Sequence, residues 1–147
     1  MEKYDPQAVA RVWRRVRGEQ EQQTIPGLQT LVAWEKEAEA MLLWLSRRLP
    51  EKGYPVQQMI ADTRRHIACL QGIRHLSGEK PGAYPREKPF TGEPGTVLRK
   101  CYGHCLKVGA QYAARSEDES YGCVFGDMAR TKRRHCAMLL EILGGSL

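Results

Sequence analysis

Two short runs carry the residues most able to do chemistry: Thr63-Arg64-Arg65-His66 and Lys132-Arg133-Arg134-His135. Each lies inside an apolar pattern with helical spacing. In each, the first residue and the histidine are three apart, so both point to one face of a helix, while the arginines between them turn toward solvent or a neighbouring helix. A polar pair facing inward at matching places in two helices is either a hydrogen-bonded core or a place for a metal ion. One acid, Glu35, falls inside the apolar seam of another helical segment. Cys101, His104 and Cys105 share one side of a further segment, where Cys101 and Cys105 could clamp an ion. A closed zinc site would need ligands from a second helix, so packing is the preferred reading of that trio.

Four helical segments must position these groups. The first, roughly 28 to 49, has its seam at Leu28, Leu31, Glu35, Ala38, Leu42, Leu45 and Leu49, alternating steps of three and four as a bundle helix does. Pro50 stops it, and Gly53 to Pro55 reads as a turn. The second, from about Val56 to Ser77 and ended by Gly78, has Val56, Met59, Thr63, His66, Leu70 and Ile73 in its seam, with Ile60 and Ile67 on the flank. The third, about Thr96 to Arg115, turns Leu98, Cys101 or Tyr102, Cys105, Val108 and Tyr112 inward. Ser116 to Ser120 makes a short turn into the fourth, which carries Tyr121, Phe125, Met128, Lys132, His135, Leu139 and Ile142 before Gly144 and Gly145 end it. No period-two strand pattern appears.

Between Gly78 and Gly95 the chain is rich in Pro, Gly and Lys, which predicts an extended connector, the one long connection among the four helices. Asp5 and Pro6 open a short helix at the start of the chain, with Val9, Val12, Trp13 and Val16 on one face. The expectation is a single all-α domain over 1–147, with an N-terminal helical arm (1–25) and a four-helix bundle (26–147) made of two helical hairpins joined by a long crossover.

Composition narrows the classes of function. A chain of 147 residues can bury roughly two-thirds of its unfolded surface without disulfides, so a metal here would serve function and not folding. No apolar run approaches the ~18 residues of a membrane span. Met1 to Gly18 is charged throughout, with no secretory apolar core, which predicts a cytoplasmic protein with no membrane partner. The five cysteines, Cys69, Cys101, Cys105, Cys123 and Cys136, are odd in number, include no C-x-x-C and read mostly as reduced core residues. The net charge of +6 gathers at Arg11, Arg14, Arg15, Arg17 and from Arg130 to Arg134. No aromatic interleaving or nucleic-acid motif accompanies it, so the arginines read as solvated, ion-paired faces and nucleic acid is not an expected partner. Trp13, Trp34 and Trp44 lie on or beside the seams and read as packing residues, not a redox relay.

With its polar residues so placed, the layout resembles the ferritin-like superfamily, and within it the rubrerythrin-like bundles, over roughly residues 28 to 143. The resemblance implies a di-metal site built from a Glu of the first helix, a Glu-x-x-His of the second, a Glu of the third and a Glu-x-x-His of the fourth. Glu35 matches the first Glu and His66 the second-helix His, with Thr63 where that helix's Glu belongs. Cys105 falls at the third-helix glutamate position, Lys132 replaces the fourth-helix Glu, and His135 matches its His. Three of the four carboxylates are thus missing.

Two divalent cations bring about +4 into a poorly solvated interior, which one carboxylate beside an added ammonium does not neutralise. The resemblance therefore implies a degenerate di-iron site, in which Lys132 pairs with Glu35 in the metals' place and the histidines hydrogen-bond around them. An alternative keeps Glu35, His66, Cys105 and His135 as ligands of a single zinc or iron ion, with the ammonium of Lys132 carried to solvent on its stem. The resemblance then implies a role in peroxide or iron handling. The preferred reading has no catalytic residue and no cofactor: an interaction or scaffold protein, acting on a protein partner or as a homo-oligomer such as a dimer.

Overall fold

The computed structural model describes residues 27–79 and 92–146, among which there are four α-helices, one turn of 3-10 helix and no strand. The expected N-terminal arm and most of the Gly78–Gly95 connector lie outside the described residues. Helix α1 spans Leu28–Arg48, α2 Gly53–Leu76, α3 Pro94–Ala114 and α4 Gly122–Ser146, with the 3-10 turn at Pro50–Lys52. Each helix has 21 to 25 residues, which makes it roughly 30–38 Å long. No described helix is long and apolar enough to cross a membrane.

The helix ends follow local chemistry, with three departures from the sequence reading. Pro50 opens the 3-10 turn, which passes directly into α2, so Gly53 to Pro55 is helical and not a separate turn. Pro55 then sits in the first helical turn, where a missing N–H breaks no bond. Pro94 likewise takes the first position of α3, two residues ahead of Thr96. Helix α4 runs through Gly144 and Gly145 to Ser146; glycine costs a helix about 1 kcal/mol relative to alanine but does not forbid it. The end of α2 does follow the sequence signal. Gly78, at φ 77°, closes it with Gly78 N–H to His75 O and Glu79 N–H to Arg74 O, both 3.1 Å.

Burial sorts into two apolar clusters whose membership gives the direction of every helix. One cluster gathers the last part of α1 (Met41, Leu45), the first of α2 (Val56, Ile60), the first of α3 (Val97, Leu98) and the last of α4 (Leu139, Ile142). The other gathers the first part of α1 (Leu28, Leu31), the last of α2 (Leu70, Ile73), the last of α3 (Val108, Tyr112) and the first of α4 (Phe125, Met128). Helices α2 and α3 therefore run the same way, each antiparallel to its hairpin partner. The chain leaves α2 at one end of the bundle and enters α3 at the other. Helix α1 packs chiefly on α2 and α3 on α4, and the hairpins meet through α1 against α3 and, more lightly, α2 against α4.

Trp44 is buried in the first cluster and Trp34 packs half-buried on the second, as expected for packing residues. Lys107 lies 4.1 Å over the Trp34 ring and Arg48 5.0 Å over that of Trp44, holding both rims with cation–π contacts. Trp13 lies outside the described residues.

The α3–α4 turn is tied by Asp118, whose Oδ1 accepts the N–H groups of Ser120 (2.9 Å) and Tyr121 (2.7 Å). Any side chain on Gly122 would collide with the backbone carbonyl of Ser116, whereas Gly103, exposed in mid-helix, has open space around it. In urea unfolding, Gly103→Ala is expected to stabilise by about 0.5–1 kcal/mol through helix propensity. Gly122→Ala is expected to lower the midpoint, and equal shifts in the two variants would contradict this description of the turn.

Candidate functional site

Between the two apolar clusters lies a polar layer, and its centre is an ion pair. Glu35 on α1 is fully buried and Lys132 on α4 is 2% exposed, with Nζ of the lysine against Oε1 of the glutamate. The other carboxylate oxygen, Oε2, accepts the Tyr112 hydroxyl of α3 at 2.8 Å and lies 2.7 Å from Nδ1 of His66 on α2. All four helices thus converge on one carboxylate. His66 also meets the Tyr112 ring edge-on, with centroids 5.7 Å apart, which fixes the imidazole plane.

Burial alone would raise the pKa of Glu35 and is the largest single influence on it. The Lys132 charge and the hydrogen bond from His66 together outweigh burial and hold the carboxyl at about 2. For Lys132, burial favours the neutral amine, but the Glu35 charge wins and raises the pKa above its ordinary value. Both groups are therefore ionised at neutral pH. The Tyr112 phenol is pushed up first by burial and then by the neighbouring Glu35, so it stays a donor.

Beside this pair stands a second one that the sequence reading did not anticipate. Asp62 on α2, 1% exposed, accepts from Nε2 of His135 at 2.9 Å. Arg65 and Arg134, the third residues of the two repeated runs, also reach Asp62, the latter at 3.7 Å. Glu35 is consequently not the only acid turned inward. Burial is the main reason the His135 pKa falls to about 4, and Lys132 adds repulsion. Asp62 pulls the other way, but its charge is already shared with two guanidinium groups.

The remaining candidates do not bond to Glu35, although Cys101, His104 and Cys105 line one small cavity with Lys132 and His135. Thr63, fully buried, donates its hydroxyl to Met59 O of its own helix at 2.8 Å. The Cys105 thiol donates to Lys132 O at 3.2 Å, and burial raises its pKa. His104 binds across to Trp34 O at 2.7 Å, joining α3 to α1. Cys101 is buried, its thiol pushed up to about 12 by that burial. Of the five cysteines, Cys101, Cys105 and Cys136 are core residues, whereas Cys69 and Cys123 are exposed.

The proposed ligand set is thus divided: Glu35 and His66 stand together, His135 belongs to Asp62, and Cys105 faces a backbone carbonyl. Among the described residues, no three or more His, Cys, Asp or Glu side chains gather so as to hold a metal ion. The Lys132 ammonium occupies the space beside Glu35 that a cation would need. Helix α3 approaches closely here, where a Cβ built on Gly109 would lie 3.1 Å from Lys132 Cβ. The cavity beside Lys132, His135, His104, Cys101 and Met59 measures about 10 Å³, room for one water at most. Among the described residues this arrangement does not fit a resident metal.

Comparison of the chain with models of protein families, with curated proteins and with solved structures found no match.

Breaking the central pair on one side should be costly, because it leaves a buried charge without its counter-charge. Lys132→Met is expected to destabilise by about 3–5 kcal/mol. Adding Glu35→Gln should recover much of that, since the amide oxygen still accepts from His66 and Tyr112. Additive losses in the double mutant, measured by denaturant unfolding, would contradict the pairing.

The shifted groups also set how stability depends on pH. His135 is depressed from 6.5 to about 4, so its contribution is complete above pH 6.5 and lost as pH falls toward 4. Glu35 is depressed from 4.5 to about 2, so its contribution disappears from pH 4.5 downward. Lys132 is raised, so its contribution is complete below its ordinary 10.5 and lost only as pH rises through the raised value. Thermal unfolding across pH should show a plateau from about pH 7 to 9, where the buried thiols of Cys101 and Cys105 begin to ionise only in the unfolded chain, and a first acid decline between 6.5 and 4. His135→Gln should reduce that decline, leaving the part due to His104, whose pKa burial also lowers, and the loss below pH 4.5; a stability curve flat from pH 7 to 4 in the parent would refute the assignment.

Proposed function

We propose that this protein is a ferritin-like, rubrerythrin-like bundle in which a buried ion pair has taken the place of the metal centre, and that it works as an interaction or scaffold protein without oxidative chemistry. The observation that carries the reading is Lys132, dry and ion-paired with Glu35 at the centre of the four helices. Supporting it are the parallel course of α2 and α3, as a full-length crossover between two hairpins requires, and the inward Thr63/His66 and Lys132/His135 positions of the repeated runs. An ammonium there repels divalent cations and satisfies the carboxylate that would bind them. What is left is a rigid, internally neutralised scaffold whose surface carries its function.

Metal content tests this reading against a single zinc or iron held by Glu35, His66, Cys105 and His135. After loading with ferrous iron or zinc and desalting, the parent should retain far less than one metal per chain and should not turn over peroxide. Lys132→Glu replaces the ammonium with a carboxylate between Glu35 and His135 and should raise metal retention at least tenfold. One firmly held metal per parent chain, lost on His66→Ala, would overturn the proposal in favour of the metalloprotein.

A further inference from the structure

Between α3 and α4, on the outer face of the second hairpin, lies a groove of about 230 Å³ with Cys105 and Cys136 among its lining residues. Its walls are low because Gly109, Ala110, Ala113 and Ala129 supply them. Gly109 lets α3 approach Lys132 of α4 closely, as the 3.1 Å separation from a Cβ built there measures. The helices are antiparallel, so one turn back along α3 from Gly109, at Cys105, lies opposite one turn on along α4 from Lys132, at Cys136. The Cys105 sulfur is 3.2 Å from Lys132 O, the carbonyl one turn ahead of Cys136, and both cysteines line the same groove. Two thiols therefore face each other across the closest part of the α3–α4 contact, beside a groove that leads to solvent.

We propose that Cys105 and Cys136 form an oxidisable dithiol, which hydrogen peroxide entering this groove converts to a disulfide that staples α3 to α4. Cys136 is the more exposed of the two, 8% against 4%, and reacts first. Its sulfur attacks one peroxide oxygen and the O–O bond breaks. The departing hydroxide takes the thiol proton to leave as water, and a sulfenic acid remains. Cys105 sulfur then attacks the sulfenic sulfur, the S–O bond breaks, and the leaving hydroxyl takes the Cys105 proton as a second water. Two electrons pass from the thiols to one peroxide, giving a disulfide and two waters. Burial raises the Cys105 pKa, which makes it the poorer first nucleophile; in the resolving step it attacks as its proton is given up to the leaving hydroxyl.

The groove also selects the oxidant. At about 230 Å³ it has room for several molecules the size of water, each about 30 Å³ in the liquid, and so for hydrogen peroxide. A tripeptide disulfide such as oxidised glutathione is too large to reach its floor. Cys101, one turn before Cys105 on the same helix, does not line the groove, and a bridge between residues four apart on a helix would distort it. Cys69 and Cys123 are exposed and serve as internal controls.

The test treats the reduced full chain with hydrogen peroxide, alkylates the remaining thiols after unfolding, and maps the peptides by mass. The expected product is a monomer whose Cys105 and Cys136 peptides are linked, with Cys101 alkylated. The link should be reversed by dithiothreitol and raise the unfolding midpoint. Oxidised glutathione should modify Cys69 and Cys123 and leave the groove pair reduced. The proposal fails if Cys105 and Cys136 are both alkylated after peroxide has oxidised Cys69 and Cys123. It fails equally if Cys136 stops at the sulfinic acid or the bridge contains Cys101. Mapping the parent chain requires no variant to fold, and Cys136→Ala, if folded, should lose the link and its stabilisation together.

Discussion

A carboxylate and an ammonium sealed together in a dry interior constrain everything around them. Each alone would cost several kcal/mol to bury; together, with the Tyr112 and His66 hydrogen bonds on the second carboxylate oxygen, they can stay ionised without water. That requirement fixes the rotation of all four helices, because α1 must present Glu35, α2 His66, α3 Tyr112 and α4 Lys132 at one level. The apolar clusters above and below can tolerate small adjustments of packing. The polar layer tolerates far less, since moving any helix by one residue would leave a charge or a buried hydrogen bond unmet.

Asp62 and His135 extend the layer toward the α2–α4 side and give the two repeated runs a shared purpose. The first and fourth residues of each run face the interior, and the third, Arg65 or Arg134, reaches round to Asp62 from its own helix. Inside the layer Lys132 balances Glu35, and the charge left on Asp62 is met from outside by arginines whose other donors face solvent. This accounts for part of the concentration of arginine on α2 and α4 without any nucleic-acid partner.

The four helices of the described residues were legible in the sequence because the seams of α1 and α4 are long and regular, and because Pro, Gly and charge clusters fell between helices. The direction of the helices was legible too, from one long connector and two short turns. The Glu35–Lys132 pair could be foreseen because each was a charged residue in an otherwise apolar seam. Asp62 could not, since it lies one position off the seam through Met59 and Thr63 and looks like a flank residue. Only its spacing of four from His66 hinted at burial. Its partner, His135, depends on how α2 and α4 are rotated against each other, which no pattern within either helix encodes. The boundaries that moved, at Pro55, Pro94 and the glycines of α4, did so because proline is harmless in a first turn and glycine weakens a helix without ending it.

The two members of the central pair come from different hairpins and stand 97 positions apart in the chain. Each hairpin can gather its own apolar contacts locally, yet until the two dock, Glu35 and Lys132 both face water. A hairpin that docks one turn out of place, or reversed, would still cover much of its apolar surface. It would also strand two charges in separate dry places. The pair thereby acts as a proofreading step in assembly: hydrophobic contact draws the halves together, and the correct alignment is the one in which both charges find their partners.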